Sequence, residues 1–350
     1  MVPLIDLSRR MIAHAADFTE AVRRVAASGV VLLGLETESL EHEFATFCGA
    51  NEVVAVASGA SAIQLALVAL GIGPGDEVVV PAMTAVPTAS AVCAVGARPV
   101  FADVDGATAA ITVESARSVI TSRTKAIIAV HLYGRPVDDV AGLVGLGLPV
   151  LEDCAQSHGA TPRVNGTLAC YSFYPTKNLG GVGDGGAVVA DDPELAARVR
   201  RLRAHGQSAQ YVHVDVSQNH RMSEIECAWL RICLPELAGG NVRRRSIVER
   251  YRAAAPALRW HADHRHHVFH LATLRHHDRD GFRARLAEAG VGTGVHYPLA
   301  LTQQPGYQSF VGGPCPSAEA WAAETVSLPC FPELTDDEVE RVCAALAAVS

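Results

Sequence analysis

The chain is 350 residues long, 49% hydrophobic and 19% charged, a composition that excludes a disordered protein and allows a large core. Its formal net charge of −8 argues against a nucleic-acid partner, because binding phosphates usually leaves a basic stripe. Apolar runs are short and broken by Gly, Pro or charge, well under a membrane span, and MVPLIDLSRRM lacks the apolar stretch of a signal peptide.

In chain order, residues 53–57 read as a short strand, followed by a helical pattern over 61–70 and a GPGD turn. Residues 77–80 form a strand ending at Pro81, then a helix through Val95 and a strand over 99–103. Residues 126–130, 149–151 and 186–190 are further strands. Continuous β-branched runs without polar alternation predict strands buried on both faces, hence a mainly parallel central sheet flanked by helices. Strand alternating with helix is the α/β signature.

After about Leu237 the texture changes. A charged helix is predicted over 241–255, with Arg243, Arg244 and Arg245 as a solvated face or, alternatively, a phosphate or carboxylate contact. Next comes a stretch rich in histidine (His261, His264, His266, His267, His270, His276 and His277). Residues 268–271 alternate like a strand, which would turn several of these rings to solvent. Their spacing matches no zinc pattern, so no metal is expected. A helix over 280–289 and a last one from Thr335, with Thr335 and Glu338 as a capping box, close the chain. The boundary falls near 235–240, giving a large domain over 1–237 and a smaller α/β domain over 238–350. Nine scattered cysteines without a C-x-x-C pair suit free thiols in a reducing compartment, so the expected location is the cytoplasm.

Three segments carry candidate chemistry. In Ser172-Phe173-Tyr174-Pro175-Thr176-Lys177-Asn178-Leu179-Gly180-Gly181 a lysine sits in a Gly-rich turn before an apolar strand. A Walker loop has its glycines before the lysine and a helix after it, so an NTPase reading fails; a plain turn lysine stays open. In Val150-Leu151-Glu152-Asp153-Cys154-Ala155-Gln156 two carboxylates close a buried strand, the end where open α/β sheets bind ligands. A protonated pyridine nitrogen would pair with such an anion, though a carboxylate capping the next turn reads equally well. In Ala57-Ser58-Gly59-Ala60-Ser61 a strand meets a helix through small residues, where free amides attract a phosphate. Many strand-to-helix turns look alike.

Together these segments resemble the DegT/DnrJ/StrS-type sugar aminotransferases of the aspartate-aminotransferase type I fold. The resemblance continues in Gly75-Asp76-Glu77-Val78, Gly96-Ala97-Arg98-Pro99-Val100, His131-Leu132-Tyr133-Gly134-Arg135-Pro136, Asn219-His220-Arg221-Met222, Val295-His296-Tyr297-Pro298 and Ser327-Leu328-Pro329. It implies pyridoxal 5′-phosphate (PLP) as cofactor, attached to Lys177, which would also move the proton. Asp153 would pair with the pyridine nitrogen and Gln156 would lie against the ring. Gly59, Ala60, Ser61 and Ser172 would hold the phosphate, and Asn219 would reach the neighbouring subunit's phosphate in a homodimer with shared sites.

The implied activity moves an amino group from glutamate or glutamine to a keto sugar, commonly nucleotide-linked, or to a keto cyclitol. Specialised-sugar, antibiotic and polysaccharide pathways use such chemistry. A dehydratase branch carries His in place of the lysine, so Lys177 favours transamination; a non-catalytic regulatory protein is the remaining alternative. Two positions depart from the pattern: Ala85 stands where relatives carry a ring-stacking aromatic residue, and Ser217 stands where Gly is frequent.

Overall fold

The computed structural model describes residues 1–161 and 163–349. Seven strands, β1 (Glu52–Val56), β2 (Glu77–Pro81), β3 (Arg98–Ala102), β4 (Thr124–Val130), β5 (Val150–Asp153), β6 (Leu168–Ser172) and β7 (Gly186–Ala190), form one sheet in the order β1-β7-β6-β5-β4-β2-β3. Six strands run one way and only β7 is antiparallel to both neighbours. The mainly parallel sheet expected from the sequence is therefore present.

Strand alternation sends neighbouring residues into different cores. Val54 and Val56 of β1 join Leu151 and the helix Gly59–Ala69 on one face, while Val53 and Ala55 join Phe44 and Trp229 on the other. In β5, Val150 packs with Ile127 and Ala129, and Leu151 with Ile63 and Val130. Two residues beyond Leu151, Asp153 keeps its face. Glu152 takes the opposite one. β6 escapes the strand reading because Leu-Ala-Cys-Tyr-Ser has no β-branched residue; its central place between β5 and β7 decides it.

A short hairpin, β8 (Gln207–Ala209) with β9 (Val212–His213), projects before the second body of structure. There β10 (Arg259–Trp260), β11 (Ala272–Arg275) and β12 (Thr325–Leu328) form an antiparallel sheet. It packs with the helices Leu237–Ala254, Arg279–Glu288 and Asp336–Val349 around Phe282, Leu286, Val342 and Leu346. The capping box is present: Glu338 N–H donates to Thr335 Oγ1 at 3.2 Å, and Thr335 N–H to Glu338 Oε2 at 3.0 Å. All nine cysteines are free. Among the described residues no helix is long and apolar enough to cross a membrane.

Two expectations are corrected here. Residues 268–271 are not a strand, and β11 begins at Ala272. Phe269 has φ of 46°, which breaks extended backbone, and its N–H is taken by His267 Nδ1 at 3.0 Å. His261, His267 and His270 are buried instead of facing solvent, while His266 and His277 are exposed. Because His267 Nδ1 accepts, its proton sits on Nε2 and reaches His261 Nδ1 at 3.3 Å. His261 Nε2 in turn donates to the Thr108 carbonyl at 2.8 Å. The second correction is Arg244. It is 2% exposed, sharing the inward stripe of its helix with Ile247, Val248 and Tyr251.

Candidate active site

The β6–β7 connection, residues 173–185, is tied to itself. Phe173 N–H donates to Gly185 O, and Gly181 N–H to Phe173 O, both at 2.7 Å; Lys177 N–H donates to Tyr174 O at 2.8 Å. The helix Glu224–Cys233 props it from beneath. Trp229 donates its indole N–H to Gly180 O at 2.9 Å, and the buried Glu226 carboxylate lies so close that a Cβ on Gly181 would sit 1.5 Å from Oε1. Only glycine fits there. Burial pushes the Lys177 amine down to about 8, with Asp153 pulling the other way. Near neutral pH a fraction of the amine is therefore unprotonated, as a nucleophile and base requires.

Asp153 ends β5 on the same side. Thr88 donates its hydroxyl to Asp153 Oδ2 at 2.8 Å and Ala155 its N–H to Oδ1 at 3.1 Å. Thr84, 3.1 Å from Thr88 Oγ1, completes a buried hydroxyl pair. Burial raises the Asp153 carboxyl, opposed by the Thr88 hydroxyl, the Ala155 amide and Lys177. A buried carboxylate of this kind gains from a cationic partner. Gln156 is locked by two bonds: Tyr133 N–H donates to its Oε1 at 2.6 Å, and its Nε2 donates to the Tyr297 hydroxyl at 2.8 Å.

At the end of β1, Ser58 caps the helix Gly59–Ala69. Its hydroxyl takes the Ser61 amide at 3.0 Å and its carbonyl the Ala62 amide at 2.9 Å. The Gly59 and Ala60 amides are left over at a helix start, where an anion is favoured. A Cβ on Gly59 would meet Ser172 Cβ at 2.6 Å, so glycine is what lets the helix start approach β6.

One cavity of about 570 Å³ brings these groups together, with Gly59, Ala60, Asp153, Gln156, Ser172 and Lys177 in its wall. A carboxylate, an amine and a helix start around one space suit a flat cationic ring with an aldehyde and an anionic arm. Ser61 and Asn219 are not in that wall. Ser61 Oγ instead lies 3.0 Å from Ser58 Oγ and 3.1 Å from His220 Nδ1. Asn219 is exposed and accepts from Arg221 Nε at 2.9 Å. Where an aromatic residue was expected, Ala85 leaves a low wall with Val86 and Pro87.

Sequence reasoning missed Thr88, Tyr174, Asp184 and Ser58, which share the wall. Thr84 and Thr88 are four apart at a helix start, a visible spacing whose partner, 65 residues away, is not. Behind the sheet, ligand atoms of His131, Glu152 and Cys154 lie within 4.8 Å of one another. His131 Nδ1 accepts the Val137 N–H and its Nε2 faces Glu152 Oε2, both at 2.9 Å. Glu152 Oε1 takes the Asn165 and Gly166 amides at 2.6 and 2.7 Å. These atoms are engaged in hydrogen bonds that a metal would have to break.

Comparison with known proteins agrees with this geometry. The sequence profile described as "DegT/DnrJ/EryC1/StrS aminotransferase family" matches residues 13–347. The chain is 38% identical to UDP-N-acetyl-3-dehydro-alpha-D-glucosamine 3-aminotransferase of Acidithiobacillus ferrooxidans, over 99% of this chain and 97% of the relative. DesV of S. venezuelae, solved in complex with a ketimine intermediate, superposes with a TM-score of 0.95 at 39% identity, covering 99% of this chain and 97% of DesV. NtdA of Bacillus subtilis, solved with bound cofactor PMP, gives 0.93 at 28% identity, over 99% of this chain and 84% of NtdA. The chain belongs to the DegT/DnrJ/EryC1/StrS aminotransferase family and is a PLP-dependent aminotransferase.

Proposed function

We propose that this aminotransferase takes an amino group from glutamate or glutamine and delivers it to a keto sugar, commonly nucleotide-linked, or to a keto cyclitol. The observation that carries the reading is the convergence of Lys177, Asp153 and the Ser58-capped helix start on one cavity. The resemblance to an enzyme named for a UDP-linked dehydro sugar supports the acceptor class.

PLP supplies the aldehyde that bonds amines and the ring that accepts electrons. The chain's own residues do the rest. Lys177 Nζ would hold the cofactor and move a proton at the substrate carbon, and its fixed position would make that transfer effectively intramolecular. Ionised Asp153, supported by Thr88, would keep the ring nitrogen protonated. The Gly59 and Ala60 amides with Ser172 would receive the phosphate, and Gln156, held by Tyr133 and Tyr297, would lie against the ring. Ser61 supports this phosphate site through the cap.

The working unit is a homodimer. Val30, Val31, Leu35, Val214 and Val216 are exposed, Val216 at 99%, apolar surface that burial against a second copy would cover. Asn219, close to that segment and outside its own cavity, reaches the partner's phosphate site. Residues 1–237 make the large domain and 238–350 the small one, with Leu301 and Trp321 returning onto the large core. Free thiols throughout support a reducing compartment, and the cytoplasm is the location this reading favours.

Borohydride reduction of the PLP-loaded protein followed by peptide mapping tests the assignment. The label is expected on Lys177, and glutamate or glutamine added before reduction should abolish it. Labelling at another lysine refutes the site. Assay against a panel of nucleotide-linked keto sugars and inososes then identifies the acceptor.

A further inference from the structure

Behind the helix start that caps the cavity stands an imidazole. His220 is 6% exposed, and its backbone is tied on both sides: its N–H donates to Arg203 O at 3.0 Å and its carbonyl accepts the Ala57 N–H at 2.8 Å. The ring meets the helix Gly59–Ala69 with Nδ1 3.1 Å from Ser61 Oγ. Ser61 Oγ lies 3.0 Å from Ser58 Oγ, and Ser58 is in the wall of the cavity that contains Lys177. Three polar side chains thus form a row that ends at the cavity.

The direction of the hydrogens along this row decides what Ser58 offers. Ser58 Oγ already accepts the Ser61 amide at 3.0 Å, and a hydroxyl has one hydrogen to give and two lone pairs to fill. With a bare Nδ1, Ser61 donates to His220 and Ser58 donates to Ser61, so no hydroxyl hydrogen is left for the cavity. With a hydrogen on Nδ1, His220 donates to Ser61, Ser61 donates to Ser58, and the Ser58 hydrogen is free. Burial, then the nearby His205, hold the ring below its ordinary value, so near neutral pH it carries a single hydrogen. The other charges beside it are engaged: Arg203 pairs with Glu41, and Arg221 Nε donates to Asn219. Among the described residues no protein group bonds Nε2, so neither ring nitrogen is reserved for that hydrogen.

We propose that His220 is a positioning residue for the cofactor phosphate: it donates from Nδ1, and the row of hydroxyls turns so that Ser58 gives its hydrogen to the anion. The inference rests on the functional reading above, which assigns the phosphate to this helix start, and adds a donor beyond the Gly59 and Ala60 amides. A dianion favours this direction because each dipole in the row then points its hydrogen toward the charge. The ring gives its Nε2 hydrogen to water and takes one at Nδ1, so the proton count is unchanged.

The test uses the unloaded full-length protein with pyridoxine 5′-phosphate, which has no aldehyde to react with Lys177, and pyridoxine as the control without phosphate. Calorimetry should show pyridoxine 5′-phosphate binding weakened about two- to tenfold in His220→Leu, the worth of one hydrogen bond, with pyridoxine affinity equal to the parent's. His220→Asn, whose amide N–H stands in for Nδ1–H, should recover most of that loss. Ser61→Ala cuts the row, so adding His220→Leu to it should cost nothing further. In the phosphate complex, 15N NMR of labelled histidines should find His220 Nδ1 protonated. A bare Nδ1 in that complex, or a His220→Leu loss that persists undiminished in Ser61→Ala, overturns the proposal. If His220→Leu does not fold, the NMR reading of the parent protein decides. Failure of Lys177 to take the borohydride label counts against the functional reading alone, because neither probe bonds to the lysine.

Discussion

Replacing Thr88 with valine keeps the shape of a 1% exposed side chain and removes one hydroxyl. That hydroxyl donates to Asp153 Oδ2 at 2.8 Å and lies 3.1 Å from Thr84 Oγ1. A hydrogen bond to an ionised acceptor is worth about 1.5–3 kcal/mol. In the role proposed for Asp153 only its ionised form would attract the cationic ring, so PLP affinity should fall by about ten- to a hundredfold in Thr88→Val. The sign with pH follows from the same groups. Burial raises the Asp153 carboxyl and Thr88 opposes that rise, so without Thr88 the ionised form is lost at a higher pH. The deficit should therefore widen as pH falls. Absorbance titration of unloaded protein with PLP at several pH values reads both effects, and Thr88→Ser should restore binding. Equal affinity in the valine variant at every pH would refute the role of Asp153 as the ring's counter-ion.

Two further predictions concern stability. Gly181→Ala places a Cβ against Glu226 Oε1 and should destabilise the fold by about 1–3 kcal/mol, the usual cost of overpacking. Adding Glu226→Ala removes the obstructing carboxylate, so the double variant should recover part of the loss in thermal unfolding; no recovery would mean the clash lies elsewhere. Burial pushes His261 down to about 4 and His158 to about 3, from an ordinary 6.5. Below about pH 6.5 the unfolded chain gains protons that these folded rings refuse, at about 1.4 kcal/mol per pH unit for each ring. Stability is thus full above that pH, falls as pH drops, and levels off once each ring's folded value is passed. Urea midpoints should show a shallower fall between pH 6.5 and 4.5 in His261→Gln than in the parent chain.

Much of this molecule is written locally. Runs such as Val53-Val54-Ala55-Val56 and Ala126-Ile127-Ile128-Ala129-Val130 announce doubly covered strands, because burial on both faces leaves no room for polar alternation. The same local grammar exposes Lys177 in its glycine turn, Asp153 at a strand end and Gly59 at a helix start. What the chain order cannot express is which distant groups meet. Thr88 at Asp153, Glu226 beneath Gly181, and the tautomer chain from His267 through His261 to Thr108 all join residues far apart in sequence. Three neighbouring arginines look alike on a helical pattern, yet only Arg244 turns inward, because the stripe of Ile247, Val248 and Tyr251 sets that face. Periodicity fixes how a segment presents itself; only packing against the rest of the chain decides what it is presented to.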